Sequence, residues 1–390
     1  MKCCKVVSLL DPQLRRTLGS LLVVLALIFG CGVAVVFAAA GDLDSSFDGD
    51  GMRILSGFDN DRGQAVAIQK NDGKIVVAGY TDLFGSKDIL VMRFNPDGSL
   101  DTTFNNGGVF VLRRNGTEEF GRAVAIQSNG KPGSKIVVVG DTNTFRTKNV
   151  FVLRLNLDGS VDSNFASAGI QTVRRTGNEQ AEAVAVRGDD RLVIAGTTDV
   201  LGNNDVFVLQ LNANGSLDGT FINGGVFIVD RASDDHDHGV ALRTDGRIVV
   251  AGSTNVFGTT DFFVVQLNAN GGLDQSFFPT FTGRSLRGGV RTIEQTGEDQ
   301  AQAVTIQSDG KIVLAGSSTL FGLNDFMLVR LNPNGSLDTT FDSDGKRLVG
   351  PFGESRAQAL AIQADQKIVV AGHTDTLDVS DVEVMRFLGQ

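Results

Sequence analysis

The chain has 390 residues, 42% hydrophobic and 21% charged, with 48 glycines, 6 prolines and no tryptophan, the composition of a globular rather than a disordered chain. Its formal charge is −10, and about −13 once residues 1–40 are set aside, which disfavours a nucleic-acid binder because phosphate contacts need clustered lysine and arginine. All three cysteines, Cys3, Cys4 and Cys31, fall within those first residues, so a disulfide-stapled scaffold is excluded for the remainder.

Residues 1–40 read as an export segment. Lys2, Lys5, Arg15 and Arg16 precede an apolar run from Leu21 to Phe37, and Ala38, Ala39 and Ala40 offer a small-residue cleavage site before Gly41, the order of a secretory signal. The apolar run also approaches the length that spans a bilayer. Cleavage, or retention of residues 18–40 as a membrane anchor, are both open. The rest, residues 41–390, is expected to form one repeat domain.

From Gly63 onward one unit is written six times. Gly63, Ala65 and Ala67 alternate with Gln64, Val66 and Ile68, the period-two pattern of a strand. An Asn71-Asp72-Gly73 turn and the β-branched run Lys74–Gly79 follow, so the pair is expected to be a hairpin whose second strand is covered on both faces. A loop then leads to a third strand at Ile89–Phe94, closed by Asn95-Pro96-Asp97-Gly98. A short strand, clearest as Val109–Leu112, is expected to open the next unit. The first alanine of the copies falls at positions 65, 123, 183, 239 (a glycine), 303 and 359. Four strands in each unit of that period, with no helical pattern, predict an all-β six-bladed β-propeller. The phase of the ends agrees. A Leu-Asp-x-x-Phe motif precedes the first unit at Leu43 and Phe47, and none follows the last strand, which ends at Phe387; joining the two ends would complete a closed ring.

The unit resembles the delta-60 repeat of bacterial, mostly exported proteins. The resemblance rests on Ala65–Gln69, Asp72–Gly79 and Val91–Phe104 and recurs six times over residues 41–390. It implies a propeller and export, and no general activity attaches to it.

Recurrent acids come in three sets. Asp44, Asp101, Asp162, Asp218, Asp274 and Asp338 lie in the Leu/Val-Asp-x-x-Phe turn and are expected to cap it. Calcium is the one cation to consider there, since Asp48/Asp50 and Asp342/Asp344 follow two of the turns, but the other copies lack the ordered ligands a calcium loop needs. Asp88, Asn149, Asp205, Asp261, Asp325 and Asp381 precede the third strand and are expected to bond nearby backbone amides. Asp61, Glu119, Glu179, Asp235 and Asp299, with Glu354 beside Ser355 in the sixth copy, stand just before the alanine-rich strand. By symmetry they form a ring that either holds a cation or amine-bearing ligand or lies spread on a solvated rim.

Three copies depart from the pattern, the second only by a small excess at Lys131-Pro132-Gly133-Ser134 that reads as a loop extension. The fourth carries Asp234-Asp235-His236-Asp237-His238, a composition that suits a metal, although ligands at i and i+2 share a face only in an extended segment; a polar loop variant is the plainer reading. The fifth carries an insertion around residues 279–287 that presents Phe281, Arg284 and Arg287, the kind of exposed loop on which recognition is expected. No nucleophile elbow, zinc-protease motif or phosphate loop is present. Cofactors are not expected. The expected function is that of an exported, monomeric binding module for a protein, glycan or small ligand, touching membrane only through its N-terminal segment. The alternative is a propeller hydrolase or lyase that uses channel carboxylates with a divalent cation.

Overall fold

The computed structural model describes residues 46–49, 53 and 61–389, apart from 115, 145, 232, 279–287, 321, 351–353, 377 and 378. Two compact units divide the chain, residues 1–53 and 54–390. In the first, Ser46–Gly49 form a turn and Arg53 donates to both oxygens of Asp48 at 3.0 and 3.1 Å. Among the described residues, the second holds all the sheets. Among the described residues no helix is long and apolar enough to cross a membrane; the expected signal or anchor in residues 1–40 lies outside the described residues.

Six antiparallel sheets follow one another in chain order. The first contains β1 (Arg62–Ile68), β2 (Ile75–Thr81), β3 (Asp88–Phe94) and β4 (Val109–Leu112); the second contains β5 (Glu119–Gln127), β6 (Lys135–Thr142), β7 (Asn149–Asn156) and β8 (Ile170–Val173). The third, β9 (Glu179–Val186) to β12 (Val226–Val229), with β10 (Leu192–Thr198) and β11 (Asp205–Leu211) between, is built alike. So are the fourth, β13 (Asp235–Leu242), β14 (Ile248–Thr254), β15 (Asp261–Leu267) and β16 (Val290–Ile293), and the fifth, β17 (Asp299–Ile306), β18 (Ile312–Ser318), β19 (Asp325–Leu331) and β20 (Lys346–Val349). The sixth has three described strands, β21 (Glu354–Ile362), β22 (Ile368–Thr376) and β23 (Val379–Phe387). Its expected fourth strand, after Leu43 and Phe47, lies outside the described residues.

One expectation is corrected. The short strand before each alanine-rich hairpin does not open a new sheet; it closes the preceding one, as Ile89 opposite Leu112 and Met92 opposite Val109 show for β3 and β4. The sequence unit and the sheet are therefore out of phase by one strand, so the five Leu/Val-Asp-x-x-Phe turns from Leu100 to Phe341 sit inside a sheet, between its third and fourth strands.

Neighbouring sheets pack face to face, because β2, β3 and their counterparts are apolar on both faces. Val76, Ala78, Ile89 and Val91 of the first sheet meet Ile136, Val138, Phe151 and Leu153 of the second in one core cluster, and four further clusters repeat the arrangement down to the sixth sheet. Backbone hydrogen bonds stitch the first four seams at both ends and the fifth at one end. At one end Asn105, Ala166, Ile222 and Phe278 donate to the carbonyls of Asp158, Asn214, Asn270 and Asn334 at 2.7–2.8 Å. At the other, Glu119, Glu179, Asp235, Asp299 and Ser355 donate to the carbonyls of Lys87, Lys148, Asn204, Thr260 and Asn324 at 2.6–3.0 Å. The outward faces of the first and last sheets repeat the buried pattern but are open: Val66 and Ile68 are 62% and 51% exposed, whereas their counterparts Val124 and Ile126 pack in the first seam.

The turn acids cap as expected. Asp101, Asp162, Asp218, Asp274 and Asp338 each accept from the amide two residues on, at 2.9–3.1 Å. Their other oxygen takes Arg93, Arg154 or Arg330 at 2.6–2.9 Å, or Gln210 or Gln266 at 2.6–2.7 Å. Phe104, Phe165, Phe221 and Phe277 of the same turns are fully buried.

Candidate functional site

The third set of acids is not a solvated rim. Glu119, Glu179, Asp235 and Asp299 open the first strand of their sheets and are buried, at 0–1% exposure. Asp61 and Glu354 are half-buried, and Ser355 occupies the seam position in the sixth sheet. The backbone stitch that fixes each residue also fixes its side chain against the preceding sheet, where the second set of acids stands. Asp88 faces Glu119, Asp205 faces Asp235 and Asp261 faces Asp299, close enough for each pair to feel the other's charge. The structure thus joins two sets that the sequence left separate, in pairs at the seams rather than in one ring.

These pairs sit in an environment short of donors. Glu119 Oε2, Glu179 Oε2, Asp205 Oδ2 and Asp261 Oδ2 are buried and have no hydrogen-bond partner among the described residues. Burial therefore dominates their protonation. It pushes Glu179 up to about 7, and Asp205 and Asp261 up to about 6 with help from neighbouring acids; a charged carboxylate loses more than a neutral acid on leaving water. Two of the second set accept backbone amides, but from the far end of their sheet rather than from nearby residues: Asp205 Oδ1 from the Arg231 amide at 3.3 Å and Asp261 Oδ1 from the Gln295 amide at 3.2 Å; Asn149 instead donates to the Thr147 carbonyl at 2.7 Å.

A different constellation lies at the inner edge, where the first strands of successive sheets run side by side and, in a propeller, line the central channel. Each first strand carries a β-bulge at the same place, between Gly63 and Ala65, Gly121 and Ala123, Asp237 and Gly239, and so on. A bulge leaves its extra residue out of the ladder and re-aims that side chain. The residues so released are Gln64, Arg122, Glu182, His238, Gln302 and Gln358. Three copies thus present glutamine, and three adjacent copies present arginine, glutamate and histidine.

Arg122 and Glu182 are coupled to each other and to two further acids, Asp141 and Asp237. Arg122 Nε donates to Asp141 at 2.5 Å, and its Nη1 lies 3.4 Å from Glu182 Oε1 on the next sheet. Asp237 stands where the other copies have glycine or alanine; it is buried, its Oδ1 accepts from the Gly239 amide at 3.3 Å, and its Oδ2 has no partner among the described residues. Burial raises both Glu182 and Asp237. Arg122 works against the rise at Glu182, and the Glu182 charge adds to it at Asp237. His238 is driven down to about 4 by burial and by His236, so its imidazole is neutral at pH 7. His236 and His238, the weak metal candidates, line one cavity of about 300 Å³ with Ser253, Asn255, Thr260 and Gln300. Among the described residues no group of three or more His, Cys, Asp or Glu is placed to hold a metal ion. The cavity offers imidazole, amide and hydroxyl groups and the Asp234 carboxylate, while Arg122, Glu182 and Asp237 stand on the first strands of the second, third and fourth sheets; both sets suit a polar ligand that gives and accepts hydrogen bonds.

Arg122, Glu182 and Asp141 escaped the sequence reading, although aligning the copies on their alanines shows the odd residues in one column. Phe281, Arg284 and Arg287 of the fifth-copy insertion lie outside the described residues.

Five segments, residues 70–104, 134–165, 187–221, 243–277 and 307–341, match a family model described as "Domain of unknown function (DUF5122) beta-propeller". The repeats are similar to those of a β-propeller repeat family. No curated protein matches the chain. Among solved structures, a protein from Lactobacillus plantarum is 12% identical, with 85% of each chain covered and a TM-score of 0.49. A gluconolactonase from Xanthomonas campestris is 15% identical, with 81% of this chain and 84% of that one covered and a TM-score of 0.42.

Proposed function

We propose that this chain of β-propeller repeats is an exported binding module, acting at the cell surface or outside the cell, whose ligand meets the inner edge of the second, third and fourth sheets. The observation that carries the reading is the bulge column: one backbone position, aimed the same way six times, holds Gln64, Gln302 and Gln358 in three sheets and Arg122, Glu182 and His238 in three neighbouring ones. A purely structural role would not need the three to differ, nor a buried Asp237 beside them. Residues 1–40 supply the export signal in this reading, or an anchor through residues 18–40, and mass analysis of the mature N-terminus separates the two. The test of binding is a glycan array together with capture from culture medium. Saturable retention of a ligand is expected, and a chain that retains nothing from either source contradicts the reading.

A second reading has Glu182 and Asp237 in its favour, since carboxyl groups raised by burial and set side by side can serve as acid and base. It makes the chain a hydrolase or lyase. Turnover of a glycan panel, assayed with calcium and with chelator and abolished by Asp237→Asn, would establish it; no product under either condition removes it.

A further inference from the structure

Ser253 stands on β14 opposite His236 of β13. The same register position is held in the first three sheets by Tyr80, Asp141 and Thr197, opposite Arg62, Phe120 and Gln180, and each of the three is engaged. Tyr80 meets the Phe120 ring edge-on at 5.0 Å, Asp141 takes Arg122 at 2.5 Å, and Thr197 Oγ1 accepts from the Asp237 amide at 3.3 Å. Ser253 is 4% exposed, and its Oγ is the one hydroxyl among the described residues that is buried with no hydrogen-bond partner. A buried hydroxyl left unpaired is costly. This one belongs to a residue that lines the cavity of about 300 Å³.

The wall of that cavity is polar throughout. The fourth sheet brings His236, His238, Ser253 and Thr260 to it, and β17 of the fifth sheet brings Gln300. Among the described residues no lysine, arginine or apolar side chain lines it. An anion would find no countercharge there, on a chain of net charge −10, and an apolar molecule no apolar wall. The one carboxylate, Asp234, already accepts the Asn204 amide through Oδ1 at 3.0 Å. Burial holds the His238 imidazole neutral at pH 7, so it offers one donor and one acceptor, and the hydroxyls and the Gln300 amide offer both as well.

We infer that this cavity holds one uncharged sugar ring, free or as the terminal residue of a glycan, and that a hydroxyl of the ring is the missing partner of Ser253. Sugar hydroxyls donate and accept at once, which matches a wall of groups that do the same. The volume lies at the low end of the range for ligand pockets, about 300–1,000 Å³, and so suits a single ring rather than a chain of them. The inference rests on the inner-edge reading, since His238 belongs to both, and narrows its ligand.

Calorimetric titration of the full chain tests it, with glucose, galactose, mannose and N-acetylglucosamine, each free and as the methyl glycoside. Glucuronic acid, glucosamine and cyclohexanol serve as charged and apolar counterparts. Saturable binding of at least one neutral sugar is expected, at least tenfold tighter than any counterpart; the better of its two forms identifies the source of the ring. Ser253→Ala is expected to weaken that binding at least fivefold while the ligand-free melting temperature holds or rises, because the hydroxyl it removes is unpaired. A hydroxyl kept for structure would lower it. Gln300→Ala, across the seam, should weaken binding by a similar factor, whereas Ser317→Ala, at the equivalent position of the fifth sheet and outside the cavity wall, should stay within twofold. No saturable binding of any neutral sugar, a counterpart that binds as tightly as the best sugar, or binding by Ser253→Ala within twofold of the unmodified chain overturns the inference. If a ligand is then still retained on the glycan array or from culture medium, the inner-edge reading stands and this inference alone falls; retention of nothing removes both.

Discussion

Glu179 and Asp101 illustrate how the same residue type is driven in opposite directions by its neighbours. Glu179 is raised to about 7 by burial, so its folded pKa exceeds its unfolded one. The stability it contributes is present below about pH 4 and is lost as pH rises through about 7. At Asp101 burial alone would raise the pKa, but hydrogen bonds from Lys74, Thr103 and Arg93 outweigh it and hold the carboxyl well below its usual range. Its contribution is present above about pH 4 and is lost as pH falls through the folded pKa. A melting temperature that peaks in mildly acid solution and declines toward pH 8 is expected. Glu179→Gln should flatten the alkaline limb, gaining about 1–3 kcal/mol at pH 8, the cost of a buried polar group left unpaired, with little change at pH 5. A decline toward pH 8 that survives this substitution undiminished would show that the seam acid is not its cause. Asp101→Asn should flatten the acid limb.

The turn between the third and fourth strands is the element that was most legible in the sequence. Its aspartate bonds the amide two residues on, and its phenylalanine is only three residues away, so local spacing determines both. Phe221 is 1% exposed, and Phe221→Ala should cost about 3–5 kcal/mol, the usual loss for a buried aromatic, read as a fall in denaturation midpoint with the slope unchanged. Gly215 shows how tightly the turn meets its neighbour: a Cβ there would lie 2.6 Å from the Phe165 ring, at a φ of +90°. Gly215→Ala should therefore destabilise by about 1 kcal/mol or more; an unchanged midpoint would mean that the turn yields. The fourth strand was assigned to the wrong sheet because sequence order does not say which edge a short strand joins. The bulge was not legible either, since it exists only as a slip in cross-strand register.

At the scale of the molecule, the repeat gave the count of sheets and the covered faces of their middle strands, because both follow from period and binary pattern. It did not give the pairing of Asp88 with Glu119 or of Asp261 with Asp299. Those residues are about thirty positions or more apart and meet only when sheets stack. Nor did it single out Arg122 or Glu182, whose meaning depends on their lying on adjacent sheets at one edge. The functional account therefore rests on asymmetry within a symmetric frame. Its most direct measurement is the dissociation constant of a retained ligand for two triple variants. Arg122→Gln with Glu182→Gln and His238→Gln makes the column uniform and should weaken binding at least tenfold. Gln64→Ala with Gln302→Ala and Gln358→Ala should stay within about twofold of the unmodified chain. Equal affinity in the first variant, or a larger loss in the second, would contradict the assignment of the site to the second, third and fourth sheets.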